Sequence, residues 1–246
     1  MRQDDAVSEA IGFILIFSIV VTGIAIVVLY GLPLIVAGQS GADVRNMEQT
    51  MIVLQNDFKS LSYKMVPYKE TALQVQGGVL TVTDASGSFV VGIGGTGDLL
   101  TSTPGQLRYV ADHDRTHIVI ENGAVLTRPG FARGSAMIAE PRWYYDDPSN
   151  TLILSFIEID TGRTRSIAGV GRIEMKGVSV TTDEYPLGAG EYVYLRYTED
   201  PEDDYSVAWG NYFTERLGFV YYGGEYQRDH VDLLVIRTVV IRVSGF

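Results

Sequence analysis

The side chains of this chain that could hold a metal ion fall into two acidic segments. The first gathers four oxygen and nitrogen ligands within one turn and the start of a strand: Asp112, His113, Asp114 and His117. A hard or borderline metal could use such a set. The simpler interpretation is a polar loop that leads into a strand at His117, and we prefer it because four polar residues in a turn need no ligand to be stable in water.

The second acidic segment, residues 199–204, carries five carboxylates in six positions. Oxygen ligands of this kind suit calcium, and the candidates are Asp200, Glu202, Asp203 and Asp204. The alternative is a solvated loop before a helix, with Asp204 near the positive end of the helix dipole. We favour the loop, so we expect neither a metal nor another cofactor.

The patterns of common enzyme sites are incomplete in this sequence. The glycine-rich stretch at residues 92–97 lacks the Lys-Ser/Thr ending of a phosphate-binding loop. His113, His117 and His230 are the three histidines, and none stands in the context of a nucleophile elbow. The aromatic runs 143–145 and 221–222 suit a sugar or a protein partner, but tyrosine-rich strands are more often packed sheet faces. We therefore predict that the protein is not an enzyme.

The composition argues against two further kinds of function, nucleic-acid binding and thiol chemistry. The 246 residues carry a net charge of -11, whereas a nucleic-acid partner requires a basic patch. We expect no nucleic-acid binding. The chain contains no cysteine, so disulfides and thiolate sites are excluded and the redox compartment stays open.

A long uncharged segment decides where the protein resides. No charged side chain occurs from Ala10 to Ala42, and about twenty apolar residues suffice for a helix to cross a membrane. A cleaved signal ending near residues 37–40 is the main alternative, although its apolar core is usually shorter. We predict a short leader or tail at 1–9, a transmembrane helix at 10–36, an amphipathic helix at 37–66 and a β-rich domain at 67–246.

The orientation of this span does not follow from flanking charges. Arg2 lies on one side and Arg45, Lys59 and Lys64 on the other, which favours neither direction. A tail of about nine residues is easily retained in the cytoplasm while a long domain is exported. We therefore expect a single-pass cell-membrane protein with an extracellular C-terminal domain.

The segment after the span is striped. Apolar residues recur there at alternating spacings of three and four, with polar residues between them: Val44, Met47, Met51, Leu54, Phe58, Leu61 and Met65. This periodicity predicts an amphipathic helix. Three heptads with methionine and phenylalanine in the seam make a weak coiled coil, so we expect the stripe to pack on the chain's own sheet. Pro67 should end the helix, and Gly31-Leu32-Pro33 is a predicted kink.

From residue 68 the pattern is that of short strands joined by glycine and Asp-Pro turns, which is typical of an antiparallel sheet or sandwich. Gly77-Gly78 and Asn122-Gly123 each predict a tight hairpin. The segment from Asp204 to Arg216 is the predicted helical interruption, with Gly210 as its weak point. The predicted fold class is α+β, a long N-terminal helix followed by an antiparallel β-sheet or sandwich domain.

Three strings of this sequence carry a resemblance to a known superfamily: AVSEAIGFILIF at residues 6–17, YYDDPSNTLIL at 144–154 and AWGNYF at 208–213. Together with the helix architecture of residues 1–66, they resemble the archaeal type IV pilin superfamily, and within it an uncharacterised family of membrane-anchored pilin-like surface proteins. The resemblance of the β domain rests on the latter two strings alone.

The resemblance implies roles for the N-terminal residues. In that superfamily a prepilin peptidase removes the leader, and a glutamate at the fifth mature position helps to align subunits. Cleavage between Asp4 and Asp5, near Ser8, would place Glu9 fifth. The alternative is that Glu9 only complements the dipole of the first helical turn. Lys or Arg usually precedes the cleavage point, whereas this chain has acidic residues there, so processing is open.

The resemblance thus predicts a surface protein with a structural or adhesive role, in the membrane or in a cell-surface filament. Its implied partners are the membrane, copies of itself or other pilin-like subunits bound through the N-terminal helix, the prepilin peptidase, and the surface layer or another surface component. The alternative is a non-polymerising surface binding module similar to archaellum accessory β-sandwich proteins.

Overall fold

The computed structural model of the chain describes residues 3–64, 66–84, 86–131, 133–201 and 203–245, with side chains from residue 11 onward. The chain forms two compact units, Met1–Asp43 and Val44–Phe246. The striped helix segment from Val44 therefore belongs to the same unit as the β-rich part.

The N-terminal part is helical throughout its described length. α1 spans Gln3–Ile26, a π-helical turn spans Val27–Gly31, and α2 spans Leu32–Tyr63. The π turn ends two residues before Pro33, at the site of the predicted kink. The Leu32 N–H donates to the Val27 carbonyl there. A proline lacks the N–H that continues the α-helical ladder, so the irregularity has a local cause and the helix does not break there.

The β-rich unit contains fourteen strands among the described residues. They are β1 Tyr68–Thr83, β2 Ser88–Ile93, β3 Gly97–Ser102, β4 Gln106–Ala111, β5 His117–Glu121, β6 Ala124–Arg128, β7 Ala136–Ala139, β8 Tyr144–Asp146, β9 Thr151–Asp160, β10 Arg165–Pro186, β11 Val193–Thr198, β12 Val220–Tyr222, β13 Glu225–Arg228 and β14 Leu233–Ser244. A 3-10 turn spans Asp147–Ser149. The predicted second helix is α3, Ser206–Asn211, followed by a π turn at Tyr212–Arg216.

The strands form two sheets. The larger has the order β7-β6-β5-β4-β1-β10-β14-β9-β8, and the smaller has the order β12-β13-β11-β2-β3. Neighbours are antiparallel except β9 and β14, which pair in parallel. The predicted α+β class with a long N-terminal helix is confirmed, and the larger sheet is mixed because β14 returns beside β9.

β10 joins two parts of the larger sheet by changing its partner along its length. Its first half pairs with β1 up to the pair Tyr68↔Lys176. Its second half pairs with β14, from Glu174↔Ser244 to Pro186↔Leu233. Only residues 174–176 have both neighbours, so each half of β10 leaves one edge without a strand in the described residues.

At β5 the larger sheet buries both of its faces. Adjacent residues on β5 show this: Ile118 and Ile120 pack into a core with α2, whereas Val119 packs into a second core with the smaller sheet and α3. Side chains alternate between faces along a strand, so the unit is a helix, a sheet and a second sheet in layers. The second core is rich in aromatic rings, with Trp209 at its centre.

The two predicted hairpins have different outcomes. Asn122-Gly123 joins β5 to β6, and both residues have positive φ, 48° and 73°, as a two-residue hairpin turn requires. The prediction of a hairpin at Gly77-Gly78 is wrong. Residues 68–83 form one strand, with a register shift opposite β10 between Val75 and Leu80. Gly77, at φ 60°, allows a bulge there, and both flanking segments keep the same partner.

Candidate functional site

The apolar part of the N-terminal helix has exposed side chains along its length. Side chains from residue 11 to residue 30 are all exposed, including Phe13 at 69% and Leu29 at 66%. The described residues contain one helix that is long and apolar enough to span a membrane, and none of its most apolar window is buried. A helix that is apolar on every side needs a nonpolar environment.

The two aliphatic hydroxyls within this apolar segment are satisfied by the helix itself. The Ser18 hydroxyl donates to the Ile14 carbonyl and the Thr22 hydroxyl donates to the Ser18 carbonyl, both at 2.7 Å. Hydroxyls bonded one turn back in this way present no unsatisfied donor to a lipid phase. Asp4, Asp5, Ser8 and Glu9 lie on α1, and their side chains fall outside the described ones.

The striped segment of α2 packs on the larger sheet. Val44 is partly buried against the first core, and five further members of the stripe are buried within it: Met47, Met51, Leu54, Phe58 and Leu61. Met65 lies outside the described residues. The stripe thus attaches the helix to the sheet, while Val53 on the opposite side is 53% exposed.

A buried glutamine adds a polar connection between α2 and the sheet. Gln55 is 2% exposed, and its side-chain amide donates to the carbonyls of Gly123, at 2.7 Å, and Glu140, at 3.0 Å. The Asn122 side-chain oxygen in the same turn accepts the Ile157 N–H at 2.9 Å. These directional bonds set the register of the helix on the Asn122-Gly123 turn, which the apolar stripe alone does not do.

The acidic loop after β11 is held to the sheet by two arginines and a histidine. Asp203 has no exposed side-chain area and contacts Arg108, Arg128 at 3.0 Å and His117 at 2.7 Å. Burial acts to raise the pKa of Asp203, but hydrogen bonds from His117 and Arg108 outweigh it and lower the pKa to about 2. This carboxylate is therefore a structural anion at neutral pH.

The structure brings together His117 of the first acidic segment and Asp203 of the second. Asp112 and His113 are exposed, and Asp114 accepts the Thr116 N–H at 3.0 Å, as in an Asx turn. The described residues contain no group of three His, Asp or Glu side chains arranged to hold a metal ion. Asp204 accepts the Ser206 N–H at the start of α3, Asp200 forms a bridge with Asp203, and Glu202 lies outside the described residues.

Glu121 is a buried acid that the sequence patterns do not reveal. It is 1% exposed and accepts hydrogen bonds from the Gly87 N–H at 3.0 Å, the Trp209 ring N–H at 2.7 Å and the Tyr197 hydroxyl at 3.2 Å. Burial raises the pKa of Glu121 to about 7, against the effect of these bonds. Its position before a hairpin turn gives no local signal of burial, because its donors are distant in the chain.

The aromatic runs differ in exposure. Trp143 is 4% exposed and belongs to the second core, whereas Tyr144 is 48% exposed. Tyr221 and Tyr222 on β12 are 60% and 71% exposed. The packed-face interpretation therefore holds for Trp143, and the exposed tyrosines lie on the edge strands β8 and β12.

The chain thus combines an apolar helix with exposed side chains and a β unit in which the acids Glu121 and Asp203 are buried and hydrogen-bonded. A comparison with protein-family models shows which family the chain belongs to. The chain belongs to a family of unknown function, DUF7289, whose model matches residues 6–242. No curated protein and no solved structure matches the chain. The DUF7289 match covers most of the apolar helix and nearly all of the β unit, so both parts are features of the family.

Proposed function

We propose that this protein is a membrane-anchored, pilin-like cell-surface protein with a structural or adhesive role. The observation that carries the proposal is the uncovered apolar helix, whose side chains from residue 11 to residue 30 are all exposed. Exposed apolar surface of this extent in water is strongly unfavourable, at about 25 cal/mol per Å². Lipid, or the helices of other subunits, would remove that cost.

The β unit supports a structural role over catalysis. Its strongest charge cluster, around Asp203, is an internal ion pair network. Its acid with a raised pKa, Glu121, is enclosed by three donors and 1% exposed, which leaves no room for a substrate. An active site would instead place such a group in an accessible cleft.

A second candidate is a single-pass surface module that does not polymerise. The acidic pair Asp4 and Asp5 favours it, because these residues occupy the place where Lys or Arg usually precedes the leader cleavage point. The two candidates share the anchor and the β unit. They differ in whether the apolar helix leaves the membrane for a filament.

Mass spectrometry of the native N-terminus, together with shearing of intact cells, separates the candidates. A filament subunit should begin at Asp5 and appear in the sheared fraction. A fixed surface module should retain Met1 and appear only after detergent extraction. Glu9→Gln provides the matched variant: it should remove the protein from the sheared fraction if the carboxylate pairs with a neighbouring N-terminal amine.

A further inference from the structure

The second half of β10, residues 177–186, has a neighbouring strand on one side only, although β10 is an internal strand of the larger sheet. β14 pairs with every residue of it except Val178, while β1 ends at the pair Tyr68↔Lys176. Within the described residues, no backbone hydrogen bond of this segment other than those to β14 is present. We call residues 177–186 the β10 free edge.

The β10 free edge is also exposed on both faces. Nine consecutive residues, 176–184, are exposed, although a strand covered on one face alternates between buried and exposed positions. Val178 and Val180 are 49% and 43% exposed. Unpaired backbone groups on a β-branched strand are a template for another strand.

The first half of β10 also lacks a neighbour on one side, but it is irregular. Gly169 has a positive φ of 84°, and the pairing with β1 changes register between Val75 and Leu80. Irregular strands pair poorly with a new partner. The segment Ser179–Pro186, in contrast, runs in unbroken register with β14, so its outer edge is regular over eight residues.

We propose that the β10 free edge pairs antiparallel with the same edge of a second copy of this chain. The charge distribution supports this partner and this direction. The carboxylates Asp183 and Glu184 lie toward one end of the segment, and Ser179 and Val180 toward the other. Antiparallel pairing places the carboxylates opposite uncharged residues, whereas parallel pairing places each carboxylate opposite its own copy, which is unfavourable.

Symmetry makes this contact self-limiting. Two identical antiparallel strands are related by a twofold axis, so the interface is used up in a dimer and no further strand is added. The register shift between Gly177 and Ser179 leaves Val178 as an extra residue, and such a bulge ends regular pairing on that side. The inference concerns the β unit alone and does not rest on leader cleavage or on surface location.

The first test is the mass of the full-length protein in detergent, measured by size-exclusion chromatography with light scattering. We expect a dimer for the natural chain and a monomer for Val180→Asp, because antiparallel pairing places the new carboxylate near Asp183 and Glu184 of the second copy. Val53→Asp on α2 and Val220→Asp on the edge strand β12 are matched controls and should stay dimeric. Tryptophan fluorescence checks that each variant is folded.

A cysteine scan then locates the contact, and the absence of natural cysteine makes it clean. Directly opposed residues of an antiparallel pair are either both hydrogen-bonded to each other or both not. In a symmetric pair the twofold axis therefore lies midway between the two copies of one residue, which faces itself. Among Ser179→Cys, Val180→Cys, Thr181→Cys and Thr182→Cys, one variant should give the strongest disulfide dimer on mild oxidation, and Val53→Cys should give none. A monomeric natural chain, or a dimer that Val180→Asp leaves intact with no disulfide in the scan, would overturn the inference.

Discussion

At the scale of single residues, the β unit depends on two buried acids whose pKa values are shifted in opposite directions. Asp203 is kept ionised by Arg108 on β4 and Arg128 on β6, and His117 on β5 also contacts it. Glu121, at the end of β5, is surrounded by neutral donors, and burial brings its pKa to about 7. The number of cations within contact distance accounts for the difference.

Glu121 should make the β unit less stable as the pH rises from about 4.5 to about 7. Its folded pKa lies above its unfolded value, so the folded state binds more protons in that range and loses stability as they dissociate. The shift corresponds to on the order of 3 kcal/mol. Denaturant unfolding of the full-length chain in detergent, followed by tryptophan fluorescence, should show this slope.

Glu121→Gln is the matched variant for that titration. The amide cannot ionise, so the difference in unfolding free energy between variant and natural chain should change across the same pH range. The amide NH2 of glutamine replaces one of the accepting oxygens and cannot accept a hydrogen bond. We expect this lost bond to lower the unfolding free energy by about 1–3 kcal/mol at pH 5. A constant difference from pH 4.5 to pH 8 would show that Glu121 does not titrate in this range.

Asp203→Asn should destabilise the β unit by about 3 kcal/mol at pH 7, because it removes the anion between partly buried cations. The pKa of Asp203 is lowered, so its stabilisation is complete above about 4 and is lost as the pH falls toward 2. The effect of the substitution should therefore shrink in acid. Asp204→Asn is the control, since asparagine also caps a helix, and an equal loss in both variants would contradict this role.

At the scale of elements, α2 is part of the β unit through its stripe. Leu54→Ala should lower the unfolding free energy by about 2–5 kcal/mol, because Leu54 has no exposed area and its removal leaves a cavity. Val53→Ala, on the exposed side of the same turn, should change it by less than about 1 kcal/mol. Comparable losses in the two variants, measured by the same fluorescence assay, would mean that the helix does not pack through this face.

Local signals predicted much of this fold. The 3.6-residue period located the buried side of α2, and Asn122-Gly123 located a hairpin, since each effect is decided within a few residues. Gly77-Gly78 carries the same kind of signal but forms a bulge, because β10 pairs with the strand on both sides of it. The parallel pairing of β14 with β9 and the docking of Asp203 on Arg108 join residues that are far apart in the chain. No local pattern encodes such contacts.

At the scale of the whole molecule, the chain combines a unit with a charged surface and a helix with an apolar surface. The β unit buries two apolar cores and exposes most of its charges. The apolar helix carries no charge from Ala10 to Ala42. A membrane anchor requires an apolar surface and a surface domain requires a polar one, and the proposed role rests on this difference.

The most direct test of the proposal is the location of the β unit in intact cells. Val170 is 81% exposed on β10, and Val170→Cys introduces the single thiol of the chain. The account predicts that a membrane-impermeant maleimide labels this variant in unbroken cells, and that the labelled protein stays with the membrane through alkaline carbonate extraction. Labelling only after lysis, or release of the protein by carbonate, would contradict it.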